Sequence, residues 1–144
     1  MKYFTIEELQ HSDTAIARKI NNTMPKTARK NYEAMTAKVL DPLRERWGSP
    51  ILVSSGYRCQ ELNKAVGGVS DSYHLGTDDH AAVDLIPKNG DLNGLYKLIK
   101  AMAQRGEITV DKVLFEQSKT SKWIHLQWKR NAINRGIFVD RYVV

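Results

Sequence analysis

The chain has little cysteine and no long apolar run, and each shortage narrows the kind of protein it can be. Its 144 residues include one cysteine, Cys59, so an internal disulfide framework is excluded. No CxxC pair is present either, which excludes a cysteine-based zinc finger. Any bound metal must therefore be coordinated by histidine and carboxylate side chains. No apolar stretch approaches the roughly 20 residues of a membrane-spanning helix, so no membrane partner is expected.

The length and composition are those of one globular domain. The chain is 42% hydrophobic and 26% charged, which supplies a single core without a second unit. We predict one domain over residues 1–144 and expect a monomer. The opening sequence MKYFTIEE carries acidic residues where a signal peptide needs an uninterrupted apolar stretch. We therefore expect synthesis in the cytoplasm without a signal peptide.

Basic residues outnumber acidic ones by 22 to 16, which gives a formal net charge of +6 and an isoelectric point near 9.5. This excess favours an anionic partner. The basic residues are scattered along the chain, whereas a dedicated nucleic-acid binder concentrates them on one element. Nucleic acid is therefore not the expected partner. A bacterial cell-wall polymer and a merely solvated surface both agree with this charge.

The first third of the chain is predicted to be helical. Thr5 and Glu8 form a capping-box pattern that predicts a short helix over residues 6–11, and a second short helix is expected after Ser12. A longer helix begins at Pro25, because apolar residues then recur at three- and four-residue spacing. These residues are Ala28, Tyr32, Met35, Val39, Leu40, Leu43 and Trp47.

Pro42 is expected to kink this helix near Lys38, because proline lacks a backbone donor and crowds the carbonyl four residues earlier. The rest of the chain is richer in strands. We predict strands at residues 51–54, 81–86, 112–116, 123–128 and 137–143, an amphipathic helix at 91–103, and a loop at 56–72 with a turn of helix near 61–65. The predicted class is α+β, with an antiparallel sheet packed against helices.

Strand alternation predicts which side chains can meet. On one strand the apolar Ile124, Leu126 and Trp128 share the core face, so His125 points to the other face. On another strand Asp84 lies among small and apolar neighbours. A buried carboxylate is costly without a partner, and a cation is the simplest partner. A metal would also account for the histidine on a neighbouring strand.

Two or three histidines and one carboxylate around apolar strands form the ligand set of a catalytic zinc site with one open position. His74 follows a glycine-rich loop, and His80 directly precedes a strand, so either histidine can join Asp84 and His125. Taken singly, each of these residues has an ordinary structural explanation, such as a hydrogen-bonded histidine or a capping aspartate. The combination makes a metal-dependent hydrolase the leading hypothesis.

A series of motifs runs through the chain in order. They are SSGYR at 54–58, LNKAVGG at 62–68, SYH at 72–74, AAVD at 81–84, DKVLFE at 111–116 and WIH at 123–125. The series resembles the M15 peptidases, the zinc D-Ala-D-Ala carboxypeptidase family that includes phage L-Ala-D-Glu endolysins. Two further segments, YFTIEEL at 3–9 and LDPLR at 40–44, resemble its branch of bare catalytic domains. The resemblance implies a single domain with the hedgehog/DD-peptidase-like fold.

The resemblance also implies roles for individual residues. They are the Zn²⁺ ligands His74, Asp84 and His125, the catalytic residues Glu116 and Arg58, and the substrate-binding residues Arg58, Ser72 and Tyr57. The implied reaction is hydrolysis of a peptide bond in a peptidoglycan stem peptide, by a carboxypeptidase or a related endopeptidase that activates water on its metal. Such a protein would act on the cell wall after phage-mediated or other release.

Two positions depart from the family pattern. The interval from His74 to Asp84 is three residues longer than usual, and the insertion brings in Asp78, Asp79 and His80, any of which could replace a ligand. Loop closure tolerates such an insertion. A strand holds residues four apart at roughly 13 Å, which disfavours pairing His80 with Asp84.

The second departure concerns the catalytic acid. Several relatives carry it three residues before the last histidine, where this chain has Lys122. A lysine cannot act as that base at its ordinary pKa, so Glu116 must reach the site from the preceding strand. If it does not, the alternative is a non-catalytic, zinc-stabilised binding or virion structural module on the same fold.

Overall fold

Helices cover one face of a sheet, and the computed structural model describes all 144 residues. The helices are α1 (Ile6–Gln10), α2 (Asp13–Ala17), α3 (Lys26–Met35), α4 (Asp41–Trp47), α5 (Gln60–Ala65) and α6 (Leu92–Gln104). The strands are β1 (Ile51–Ser55), β2 (His80–Pro87), β3 (Lys112–Gln117), β4 (Lys122–Lys129) and β5 (Ile137–Val143). None of the helices combines the length and the apolar character needed to cross a bilayer.

The five strands form one sheet in the order β1-β2-β4-β3-β5. Neighbouring strands are antiparallel except β3 and β5, which run parallel. After β4 the chain passes the start of β3, where Gly136 N donates to Val110 O at 2.9 Å, and continues beside β3 in the same direction. The predicted α+β class is confirmed. The parallel pairing of β5 depends on this return path, which the strand patterns did not predict.

The apolar face of the sheet forms the core with the helices. Ile124, Leu126 and Trp128 are at most 1% exposed, as the alternation of β4 predicts. The helices contribute fully buried side chains to the same cluster, among them Tyr32, Met35, Leu95 and Ile99. Since one face of the central strands is filled by this core, their polar side chains lie together on the other face.

The predicted long helix is interrupted just before Pro42. Residues Thr36–Leu40 form a π-helical turn between α3 and α4. Pro42 has no N–H to give to the carbonyl of Lys38 and its ring crowds that carbonyl, so the turn widens by one residue. We predicted a kink near Lys38, and the structure has a π-helical turn around that residue. The helix ends at Gly48, whose φ of 74° is the left-handed conformation that glycine adopts readily.

Candidate metal centre

Asp84 and His125 meet through the pairing of β2 with β4. They are directly opposite each other in the antiparallel register, so their side chains lie on the same face of the sheet. Asp84 Oδ1 is 3.0 Å from His125 Nδ1. This face is the one opposite the core. The strand register alone thus brings two of the three predicted ligands together.

His74 reaches the pair from a 3₁₀ turn, Tyr73–Leu75. Its backbone N–H donates to Ser72 Oγ at 3.2 Å, and the residue is only 3% exposed. His74 Nδ1 lies 2.7 Å from the carbonyl oxygen of Gly56. Because a carbonyl only accepts, Nδ1 carries the proton and Nε2 keeps its lone pair. That Nε2 is 3.4 Å from Asp84 Oδ1.

The donor set fits a divalent metal ion. His74, Asp84 and His125 each offer one ligand atom, and these atoms lie within 4.8 Å of one another. Imidazole nitrogen and carboxylate oxygen are donors that zinc accepts. His125 Nε2 faces Gln127 Oε1 at 3.0 Å, so each histidine is anchored through one ring nitrogen and offers the other. Metal-binding histidines are held in this way.

Burial and charge act together on these three groups. Burial lowers the pKa of His74, since a buried cation is costly, although Asp84 opposes the effect. Burial alone would raise the pKa of Asp84, but His74 and His125 hold it below its ordinary value. Burial would lower the pKa of His125, yet its hydrogen bond to Asp84 raises it. Asp84 is therefore an ionised carboxylate at neutral pH, as an anionic ligand must be.

The inserted loop before β2 contributes nothing to this group. The ring of His80 stacks on Tyr73 with centroids 4.0 Å apart. Asp79 Oδ2 accepts a hydrogen bond from Asn131 N at 3.2 Å, and Asp78 occupies the left-handed turn position with φ 53°. The group of neighbouring ligand atoms includes none of Asp78, Asp79 and His80. Of the alternatives left open by the sequence, His74 is the residue brought to Asp84.

Arg58 lies beside the group with its guanidinium held in place. Its Nε donates to Ser55 Oγ and its Nη1 to Asn63 Oδ1, both at 3.2 Å. Its Nη2 is 3.8 Å from Asp84 Oδ2. Its backbone N–H donates to the carbonyl oxygen of His74 at 2.9 Å, which ties the arginine to the turn. The side chain is 17% exposed, so it remains accessible from the cleft.

Glu116 reaches the site from β3. It pairs with Trp123 in the β3–β4 register, two residues along β4 from His125. Its Oε1 lies 3.8 Å from His125 Nδ1. Burial raises the pKa of Glu116, and the charge of His125 opposes this effect. A carboxylate with a raised pKa next to the candidate metal group has the character of a general acid or base.

Lys122 occupies the position where several relatives carry an acid, and the strand explains why it matters little here. Lys122 begins β4 and pairs with Gln117. Because side chains alternate along a strand, Lys122 shares its face with Ile124 and not with His125. It is exposed and lines a separate depression together with Phe115. A carboxylate at this position would point away from the metal group.

The two remaining predicted site residues differ in placement. Ser72 lines the cleft while capping the turn of His74. Tyr57 is 6% exposed, contacts Tyr32 edge to face at 6.3 Å, and lines a neighbouring depression instead. The structure therefore brings Ser72 to the site and leaves Tyr57 outside it.

A cleft of about 690 Å³ opens above the metal group. Glu116 and Asp84 lie in its lining with three basic residues, Arg58, Lys112 and Arg135. The apolar part of the lining comes from the loop after α5, from β3, and from β5 with the residue that follows it. It includes Val66, Val69, Leu114, Val139, Tyr142 and Val144. The cleft thus offers both cationic and apolar contacts to a bound chain.

The sequence analysis missed three groups that hold or orient the candidate ligands. They are the carbonyl of Gly56, the amide of Gln127, and Asp111, whose Oδ2 accepts from Gln127 Nε2 at 3.1 Å. Gln127 shares the strand face of His125, so alternation could have identified it as a partner. The Gly56 contact uses backbone atoms and leaves no signal in the residue types.

Comparison with known protein families agrees with the geometry. Residues 2–127 match the family model described as Peptidase M15. The match extends from the N-terminus into β4 and includes the three candidate ligands, Arg58 and Glu116. A search of curated proteins finds no match.

Proposed function

The chain belongs to the peptidase M15 family, and from this premise we propose that it is a zinc-dependent enzyme that hydrolyses peptide bonds in peptidoglycan stem peptides. The family is one of metal-dependent peptidases, so its substrate is a peptide. The observation that carries the proposal is the cluster of His74, Asp84 and His125 on the floor of an open cleft, with Glu116 3.8 Å from His125.

The proposed ligands are His74 through Nε2, Asp84 through its carboxylate, and His125 through Nδ1. Two neutral imidazoles and one carboxylate leave a positive charge on a bound zinc ion. When bound, the ion would polarise the scissile carbonyl and lower the pKa of a water molecule. The three ligands stay fixed during the reaction because each is braced by strand pairing or by a hydrogen bond from its other ring nitrogen.

Glu116 is the proposed general base and acid. Its carboxylate would accept a proton from the attacking water and then deliver that proton to the nitrogen of the departing amine. The raised pKa of Glu116 supports this role, because a carboxylate with a higher pKa is a stronger base toward the attacking water. The strand geometry also supports this role, because Glu116 on β3 and His125 on the neighbouring β4 lie on the same face of the sheet.

Arg58 is the proposed electrostatic partner of the substrate. Its guanidinium can donate to the oxygen on which negative charge develops as the carbonyl becomes tetrahedral, or to a substrate carboxylate. Ser55 and Asn63 hold the guanidinium by hydrogen bonds of 3.2 Å each, so no reorganisation is needed when charge appears. Ser72, at the cleft edge, is proposed to contact the substrate backbone.

The choice of a stem peptide rests on charge. Such peptides carry free carboxylates, and the cleft lining includes Arg58, Lys112 and Arg135. The whole chain has a net charge of +6, which favours approach to an anionic polymer. The proposed bond is either the terminal D-Ala-D-Ala bond or the L-Ala-D-Glu bond.

Digestion of purified peptidoglycan tests the proposal. The zinc-loaded protein is incubated with peptidoglycan and the products are identified by mass spectrometry. Release of D-alanine indicates a carboxypeptidase, and new L-alanine and D-glutamate ends indicate an endopeptidase. Glu116→Gln should reduce product formation by at least about 100-fold, whereas the exposed matched control Glu61→Gln should match the wild type.

The alternative, a non-catalytic zinc-stabilised module, makes the opposite prediction. It requires one equivalent of bound zinc and no peptide product from wild-type protein at any incubation time. That result would overturn the enzymatic proposal and leave the metal site intact.

A further inference from the structure

Asp111 is a fully buried carboxylate that lies outside the candidate metal group. The Arg135 side chain donates two hydrogen bonds to it, from Nε to Oδ1 at 2.9 Å and from Nη2 to Oδ2 at 2.8 Å. Lys129 Nζ is 3.4 Å from Oδ1. Burial alone would raise the pKa of Asp111, but Arg135 and Gln127 hold it below its ordinary value. Asp111 is therefore ionised at neutral pH and can only accept hydrogen bonds.

The ionised Asp111 determines which way the Gln127 amide points. Oδ2 of Asp111 is 3.1 Å from Gln127 Nε2. If the amide were turned over, its carbonyl oxygen would face the carboxylate with no proton between them. The NH₂ group of Gln127 must therefore face Asp111, and its Oε1 must face the other way. The orientation follows from the chemistry of the partner.

The oriented Gln127 in turn determines the state of His125. Oε1 of Gln127 is 3.0 Å from His125 Nε2, and an amide oxygen only accepts. His125 Nε2 must therefore carry a proton. Without a metal, His125 Nδ1 donates to the ionised Asp84 Oδ1 at 3.0 Å. Nδ1 is then the nitrogen that would give up its proton to bind a metal ion.

We propose that Asp111 and Gln127 are positioning residues, which keep the His125 proton on Nε2 and direct the Nδ1 lone pair at the metal. This inference rests on the proposed metal site. The series of contacts runs from Arg135 through Asp111 and Gln127 to His125. Its outer end, Arg135, lies beyond residues 2–127 that match the family model.

The arrangement also links metal binding to the C-terminal part of the fold. Arg135 N donates to Asp111 Oδ1 at 3.2 Å, and Ile137 N donates to the Asp111 carbonyl at 3.1 Å. The segment that leads into β5 therefore fixes Asp111 by both backbone and side-chain contacts. The segment that leads into β5 thus orients the candidate ligand His125 through Asp111 and Gln127.

Nitrogen NMR of the zinc-loaded wild type tests the inference directly. In protein labelled with ¹⁵N-histidine, long-range ¹H–¹⁵N correlations identify the protonated nitrogen of each ring. We expect His125 to be protonated at Nε2 and metal-bound at Nδ1, with a slowly exchanging Nε2 proton. Zinc bound at Nε2, with the proton on Nδ1, would overturn the inference. This measurement requires no variant.

Two variants then test the contribution of each residue. Gln127→Met removes the acceptor at nearly constant volume, and Asp111→Asn removes the charge that orients Gln127. Each should weaken zinc binding by about 10- to 100-fold and speed exchange of the His125 Nε2 proton. Gln117→Met, the same change on β3 at a side chain outside the cleft, should alter neither property.

The outcomes separate this inference from the proposed function. Suppose that the wild type binds zinc with all three ligands, and that a folded Gln127→Met variant has unchanged zinc affinity and an unchanged exchange rate of the His125 Nε2 proton. That result overturns the positioning role alone. A wild type that binds no zinc overturns the metal site and the inference together. Thermal unfolding shows whether each variant is folded. If a variant is not folded, the NMR result for the wild type tests the positioning role.

Discussion

Asp84 on β2 and His125 on β4 are register partners, with 3.0 Å between Asp84 Oδ1 and His125 Nδ1. Hydrogen bonds between the two strands set their separation, so neither residue depends on a flexible loop. The third candidate ligand, His74, is supplied by a short turn that hydrogen bonds join to Gly56 and Arg58. The arrangement leads to specific expectations for substitutions.

Metal affinity should depend on His74 and His125 and not on His80. His74→Ala and His125→Ala each remove one of three donors, and we expect each to weaken zinc binding by at least about 100-fold. His80→Ala is the matched control, because its ring stacks on Tyr73 outside the group. Isothermal titration calorimetry with zinc measures all three. Loss of binding in His80→Ala with retention in His74→Ala would contradict the ligand assignment.

Arg58→Lys should impair turnover and spare metal binding. A lysine keeps the charge but cannot bond to Ser55 and Asn63 while also presenting a donor to the substrate. We expect kcat/KM on peptidoglycan fragments to fall by about 100-fold, with zinc affinity unchanged. Arg18→Lys, at an exposed position away from the cleft, serves as the control. Wild-type turnover by Arg58→Lys would remove Arg58 from the proposed mechanism.

Gly56→Ala should damage both stability and the metal site. A Cβ at this position would collide with the backbone carbonyl of Leu9, which also accepts from Tyr57 N at 2.7 Å. Relief of the collision requires a shift of the Gly56 backbone, whose carbonyl oxygen lies 2.7 Å from His74 Nδ1. We expect a loss of about 3 kcal/mol in the free energy of unfolding and weaker zinc binding.

Gly106→Ala provides the comparison for Gly56→Ala. Gly106 has a φ of 73°, but a Cβ there would meet nothing within 4 Å. The cost should be the backbone strain alone, about 1–2 kcal/mol, with zinc affinity unchanged. Urea unfolding and zinc titration on both variants measure the difference. Equal losses of stability and affinity in the two variants would contradict the steric explanation.

The contribution of Asp111 to stability should disappear in acid. Its pKa is lower in the folded protein than in the unfolded chain, so the unfolded chain takes up the proton first as the pH falls. The stabilisation is therefore complete above the unfolded pKa of about 4 and is lost as the pH falls toward the folded value.

Asp111→Asn measures this effect in the metal-free protein. We expect it to lower the free energy of unfolding at pH 7 by about 2–4 kcal/mol, a difference that narrows as the pH falls below about 4. Asp71→Asn, at an exposed position, should show no such change in urea unfolding curves. A difference for Asp111→Asn that stays constant down to acid pH would contradict the linkage.

Local patterns in the sequence were enough for most of the fold. Three- and four-residue spacing identified the helices, and alternation on β4 correctly separated the buried Ile124, Leu126 and Trp128 from His125. These patterns succeed because burial of one face imposes a fixed period on a helix or strand. The disturbance before Pro42 was equally predictable, since proline always lacks the donor.

Other features depended on contacts between residues far apart in the chain. The sequence alone left His74 and His80 as competing ligands, and only the folded loop brings His74 to Asp84 while stacking His80 on Tyr73. Tyr57 belongs to a motif of the resemblance, yet its ring packs against Tyr32 away from the cleft.

The sequence by itself determined the donors, the α+β class and the strand face of His125, because these depend on residue type and on local periodicity. Tertiary structure decided which histidine joins Asp84, how Glu116 reaches the site in place of Lys122, and how Asp111 orients His125 through Gln127. Those relationships join residues from different strands and turns. These relationships depend on strand register, on the path of the loops and on the direction of hydrogen bonds. Short-range sequence patterns do not determine any of these features.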